Sequence, residues 1–205
     1  SPVASTGLLG QPAQVPYGDC PPGCLLIQSD ETSFTRVAFG VALGAFLLIG
    51  GLDAAFGPLL RPMSAHFGVS LPVAGTVISV YFAGALIGVP GVLAGFRRLP
   101  PRWLAMPALA VVGAGCLVIA LAGRWGILVA GVLVTGFGFG ATDFSLNQMM
   151  ARTTAAGRAA RLNVLNAAFG AGAVLGPLAV GFLGGQILTW GFAVSAGVAC
   201  LLAVG

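Results

Sequence analysis

The chain reads as an all-α polytopic membrane protein with six transmembrane helices. Three observations carry that reading. Apolar residues make up 58% of the 205 residues and charged residues only 7%, against about 25% charged in soluble domains. The mean hydropathy is +1.01. Six apolar runs alternate with short polar gaps, each run close to the roughly 20 residues that a helix needs to cross hydrocarbon.

The elements follow in order. Residues 1–35 hold five prolines, scattered polar side chains and no helical period, so a disordered segment is expected there. No basic stretch precedes a short apolar core, so a signal peptide is not expected there. A six-helix transmembrane bundle is expected over 36–205. Its helices fall at 37–60, 72–96, 103–123, 125–149, 162–185 and 187–205. The third and fourth are separated by Gly123, Arg124 and Trp125 alone, the fifth and sixth by Gly184, Gly185 and Gln186. Trp103, Trp125 and Trp190 fall near helix ends, where an aromatic belt sits. The chain begins at Ser1 and stops at Gly205 inside an apolar run, so a fragment of a longer protein is expected.

Charge sets the orientation. All nine basic residues are arginine. Counting the gaps alternately, one side holds Arg36, Arg97, Arg98, Arg102, Arg152, Arg158 and Arg161, the other Arg61 and Arg124. Basic residues favour the cytoplasmic side, so the N-terminus is expected inside. The arginines lie in short clusters with no aromatic interleaving, which excludes nucleic acid as a partner. Membrane lipid is the partner that the composition implies.

Cofactors and metals are not expected. Cys20 and Cys24 bracket Pro-Pro-Gly, and the single histidine, His66, is too distant in sequence to complete a ligand set. Cys116 and Cys200 lie in apolar runs and read as packing residues. No cluster of titratable groups and no phosphate-cradling loop ending in lysine points to an enzyme.

Two lone carboxylates stand out, Asp53 in the first helix and Asp143 in the fourth. A charge in hydrocarbon costs several kcal/mol and is rarely left without a task. Asp143 and Asn147 are four residues apart and share a helix face. Gly136 and Gly140 precede them near that face and are expected to leave room for a solute. A carboxyl in such a cavity can take and release a proton, because desolvation disfavours its charged form. The fifth helix carries Asn163, Asn166, Gly172, Gly176 and Pro177. The amides are candidate polar partners and Pro177 a candidate bend. The second helix carries Gly84, Gly88, Gly91 and Gly95, spaced for close helix approach.

Together these residues resemble the N-terminal six-helix half of a major facilitator superfamily (MFS) transporter, over about 36–205. Gly91-Val-Leu-Ala-Gly95-Phe-Arg97-Arg98 is similar to the superfamily's G-x-x-x-D-R-x-G-R loop signature. It departs from it with Gly95 in place of the aspartate, so the family's charge latch is not expected, and Arg97 and Arg98 remain as positive-inside anchors. Gly136-Phe-Gly138-Phe-Gly140-Ala-Thr-Asp143-Phe-Ser-Leu-Asn147 and the stretch from Leu162-Asn163 to Gly176-Pro177 resemble the fucose permease-type sugar:proton symporters. That likeness implies a twelve-helix fold of which this is one half, the C-terminal half lying opposite. It also implies proton-coupled uptake of a sugar or similar small polar solute, with Asp53 and Asp143 as the acids. The rival readings are a proton-driven efflux antiporter and a membrane scaffold or sensor that moves nothing. The efflux signature G-x-x-x-G-P-x-x-G-G is partly met by Gly172, Gly176, Pro177 and Gly181, with Val180 in place of the first paired glycine. An arginine within the fourth helix, usual in those exporters, is absent between Trp125 and Met150. Gly, Ala and Arg richness without lysine suggests a bacterial plasma membrane protein.

Overall fold

The computed structural model describes residues 36–96, 101–151, 155–183 and 187–204. The expected disorder of 1–35, the pair Cys20 and Cys24, the anchors Arg97 and Arg98, Arg152 and the turn at 184–186 lie outside the described residues. Six helices follow one another: α1 (Arg36–Phe67), α2 (Leu71–Phe96), α3 (Pro101–Ala120), α4 (Trp125–Ala151), α5 (Ala155–Leu183) and α6 (Ile187–Val204). Five of them are long and apolar enough to cross a membrane, and α6 contributes a shorter apolar stretch, Trp190–Ala203.

Two boundaries differ from the sequence reading by about two turns. α1 runs on through Pro58 and Pro62 to Phe67 instead of stopping at 60. Each proline removes its own N–H bond, but the neighbouring turns keep theirs, which low-polarity surroundings favour. α5 begins at Ala155, not 162. The arginines there read as a polar gap, yet they alternate with alanines, and both residue types favour helix.

The end of α1 is built by a local device. Gly68 has φ 64°, a left-handed conformation that glycine adopts without a Cβ penalty. The Val69 N–H donates back to the Ser64 carbonyl at 3.2 Å, the outer bond of a Schellman turn. The Ser64 hydroxyl closes the same turn on the Val69 carbonyl at 2.6 Å. The turn brings Phe67 against Trp125, with ring centroids 5.8 Å apart. The end of α1 and the start of α4 therefore share one end of the bundle.

α1 packs extensively on α5, α2 on α4, and α3 on both α4 and α6, whereas α6 meets α1 only sparsely. Lipid tails are as apolar as leucine, so close backbone approach rather than hydrophobic burial drives such packing. Glycines supply it. A Cβ at Gly84 or Gly88 would strike the carbonyl oxygens of Leu133 and Phe137, and one at Gly136 or Gly140 those of Tyr81 and Ala85. At the second crossing, Gly172 and Gly176 meet the carbonyls of Leu47 and Gly51, and Gly50 meets that of Phe169. Gly91 and Gly95 sit more loosely, against the side chains of Phe137 and Leu104. The expectation that Gly136 and Gly140 leave room for a solute is corrected here: their space is filled by the backbone of α2. Pro177 does not interrupt α5, which is helical on both sides of it.

The interior centres on Phe56, Leu59, Met63, Tyr81, Val112 and Leu128. Outward, Leu86, Phe182 and Leu201 are almost wholly exposed, as side chains facing hydrocarbon would be. Trp103 and Trp190 are likewise exposed in the first turns of α3 and α6.

Candidate functional site

Asp143 is half-buried in α4. Asn147, one turn on, donates its amide to the Asp143 carboxylate at 3.1 Å and to the Asp143 carbonyl at 3.0 Å. This is the pair that the spacing of four residues anticipates. A carboxylate that accepts from an amide on its own helix is held in one orientation and keeps lone pairs free for another donor.

Asp53 is half-buried in α1. Among the described residues it has no hydrogen-bond or ion-pair partner, so no pairing with Arg61 or Arg124 forms. Both arginines are exposed.

Tyr81 of α2 is buried at the α2–α4 crossing. It is 1% exposed, and its hydroxyl has no hydrogen-bond partner. Aromatic neighbours fix the ring. Phe139 of α4 stacks on it at 5.3 Å, Phe56 of α1 lies at 5.0 Å and Phe82 at 5.4 Å. The sequence leaves open whether Phe82 and Tyr81 line the cavity or face lipid; the structure leaves Phe82 half-exposed and buries Tyr81. Its place three and seven residues before Gly84 and Gly88, on the face that meets α4, is the signal that finds it.

Other polar groups in α4 are tied to their own helix. Thr135 donates to the Gly131 carbonyl at 2.9 Å and Ser145 to the Ala141 carbonyl at 2.7 Å. Thr142, beside Asp143, is buried with an unpartnered hydroxyl. Asn163 and Asn166 are exposed on α5. Among the described residues no hydrogen bond ties either of them to an acid, so the structure does not gather them into the site. Gly91, Gly95, Gly136, Gly140, Gly172 and Gly176 are packing positions around it.

A cavity of about 630 Å³ opens between α1, α5 and α6. It is lined by apolar side chains and glycines, among them Leu48, Leu52, Gly176 and Phe192, and by neither acid. Its one hydroxyl, on Ser195, is already given to the Gly191 carbonyl at 2.8 Å. The polar pair is therefore separate from this cavity. No group of three or more metal-ligating side chains occurs among the described residues.

An apolar helical bundle with five helices long enough to cross a membrane defines a polytopic membrane protein. The family model of the Major Facilitator Superfamily matches residues 41–205, and the chain belongs to that superfamily. Its members are membrane transporters, not enzymes. No curated protein matches the chain.

Proposed function

We propose that the protein is a secondary active transporter that takes up a sugar or similar small polar solute together with a proton, by alternating access. One observation carries the reading. The Asp143 carboxylate and the Asn147 amide are hydrogen-bonded on one face of α4, inside a largely apolar bundle. A carboxylate so placed accepts hydrogen bonds from solute hydroxyls when ionised and loses that capacity when protonated. Protonation then changes both the solute affinity and the preference between the inward and outward states, which is the condition for coupling.

In this reading the bundle of 36–205 is one half of a twelve-helix protein, and cargo binds between it and a second six-helix half. In the same reading the membrane is a bacterial plasma membrane and the N-terminus is cytoplasmic, a side that the arginine asymmetry supports. The likeness to fucose permease-type symporters rests on the α4 and α5 residues. The competing reading, efflux by proton antiport, is disfavoured by the lack of an arginine in α4 between Trp125 and Met150.

The test is solute-driven proton movement in proteoliposomes of the full-length protein, followed with an internal pH dye over a panel of sugars. Acidification with one sugar is expected, and it should be lost in Asp143→Asn, which cannot take up the proton. A response to hydrophobic cations and to no sugar would establish export instead. Silence to both would remove proton-coupled transport of either kind.

A further inference from the structure

We propose that the cavity between α1, α5 and α6 holds one acyl chain of a membrane phospholipid. The site is independent of the solute that the protein carries, because neither acid lines the cavity.

The gap is built into the helix packing. α3 closes on α4 through glycines that admit backbone: a Cβ at Gly115 would strike Thr135, and one at Gly138 the backbone of Val112. α6 meets α1 only sparsely. Leu202 of α6 lies against Gly44, and the Phe192 ring is 6.1 Å from that of Phe56. Residues 44 and 56 stand about 18 Å apart along a helix axis. The cavity of about 630 Å³ lies along this stretch. A void of that size is costly to leave empty, because the cost rises with its volume.

The lining selects the occupant. Leu48 and Leu52 come from α1, Gly176 and Ala179 from α5, Val194 and Val198 from α6. The Ser195 hydroxyl is already given to its own helix, so a polar solute finds no side-chain hydroxyl free there. Water needs two to four polar partners in such a space, and apolar cavities stay dry. The mouth continues the surface that faces hydrocarbon. Leu175 at the mouth and Phe182 share one face of α5, and Val194, Val198 and Leu201 share one face of α6; all five are exposed. Lipid chains are what that surface meets. One chain spans half of a hydrocarbon core about 30 Å thick, which the stretch between the two α1–α6 contacts accommodates. Trp190 lines the cavity and is exposed in the first turn of α6, where an amphipathic ring meets a headgroup.

Photolabelling of the full-length protein in lipid nanodiscs tests this. The probe is a phospholipid with a diazirine in one acyl chain, and the labelled residues are read by peptide mass spectrometry. Lipids that merely surround the protein reach Leu86 and Phe182, which are almost wholly exposed, but not Leu52 on the cavity wall, which is 6% exposed. If a chain is bound, Leu52 is labelled along with them. Ala179→Phe, which fills the cavity from α5, then abolishes the label on Leu52 and leaves that on Leu86 unchanged. Val194→Phe fills it from α6 and does the same, which keeps the test open if Ala179→Phe folds poorly. Label on Leu86 and Phe182 without Leu52 overturns the site, the cavity then being closed by α6 or covered by another part of the protein. Label on Leu52 that persists in both filled variants overturns it as well, since the probe then arrives by another path. Neither result bears on proton-coupled transport, which the proteoliposome assay tests separately.

Discussion

Asp53 and Asp143 stand at equivalent places on two equivalent crossings, yet they are held differently. Each lies three residues after a glycine that meets a carbonyl of the crossing helix: Gly50 against Phe169 for the α1–α5 pair, Gly140 against Ala85 for the α2–α4 pair. The following turn separates them. Four residues after Asp143 comes Asn147, whose amide holds the carboxylate. Four residues after Asp53 comes Gly57, exposed and with nothing within 4 Å of where its Cβ would be. One scaffold thus presents an oriented acid and an acid free to rotate. Under the proposed coupling, the oriented acid binds the solute and the other changes partner with protonation state.

The comparison breaks first at the crossings themselves. If they are equivalent, Gly136→Ala and Gly172→Ala fail alike, since each new methyl meets backbone that cannot yield. The expected loss is about 3 kcal/mol each, the upper end of overpacking. Gly170→Ala, two residues before Gly172 on the same helix, has nothing within 4 Å and should gain up to about 1 kcal/mol from helix propensity. Thermal unfolding followed by gel filtration in detergent ranks the three. A large loss at Gly136 with none at Gly172 would show that only the α2–α4 crossing bears the packing.

Asn147→Ala comes next. It strips the oriented acid of its amide and makes Asp143 resemble Asp53. A hydrogen bond to a charged group contributes about 1.5–3 kcal/mol. Discounted for the half-exposure of this pair, the substitution should raise the KM for the solute about tenfold. Asn147→Gln, which keeps an amide on the same face, should recover part of it. An unchanged KM in Asn147→Ala would take the amide out of the solute site.

Much of this was legible in the sequence, and the parts that were not share a cause. Hydropathy finds six helices because crossing a bilayer demands length and apolarity together. Spacing finds the Asp143–Asn147 pair because that contact is local to one helix. The ends of α1 and α5 escape because polarity was taken to mark a break, whereas Pro62 and Arg158 lie within continuing helix. Gly136 and Gly140 were read as space and prove to be contact, because a missing side chain does not say what fills its place. Whether Tyr81 is buried or faces lipid stays open in the sequence for the same reason: its neighbours Phe56 and Phe139 come from α1 and α4, and no pattern within α2 records them.

The smallest expected effect addresses the comparison most directly. Gly57→Asn places on α1 the amide that α4 already has, at a position open enough to accept it. A helical pair at this spacing contributes about 0.2–0.5 kcal/mol, and replacing glycine in a helix adds a few tenths more. Stability should therefore rise by about 0.5–1 kcal/mol, seen as a higher unfolding temperature. Transport should move the other way. An amide that holds Asp53 opposes its rotation by the energy of that pair, slowing proton-coupled uptake about twofold. Gly57→Ala separates the two causes, because it supplies the helix propensity without the amide. If Gly57→Ala slows uptake as much as Gly57→Asn does, backbone freedom at position 57 governs the rate, and the missing partner of Asp53 has no part in it. If only the asparagine slows it, the asymmetry between the two acids is itself functional, and an unpartnered Asp53 is what α1 contributes to the cycle.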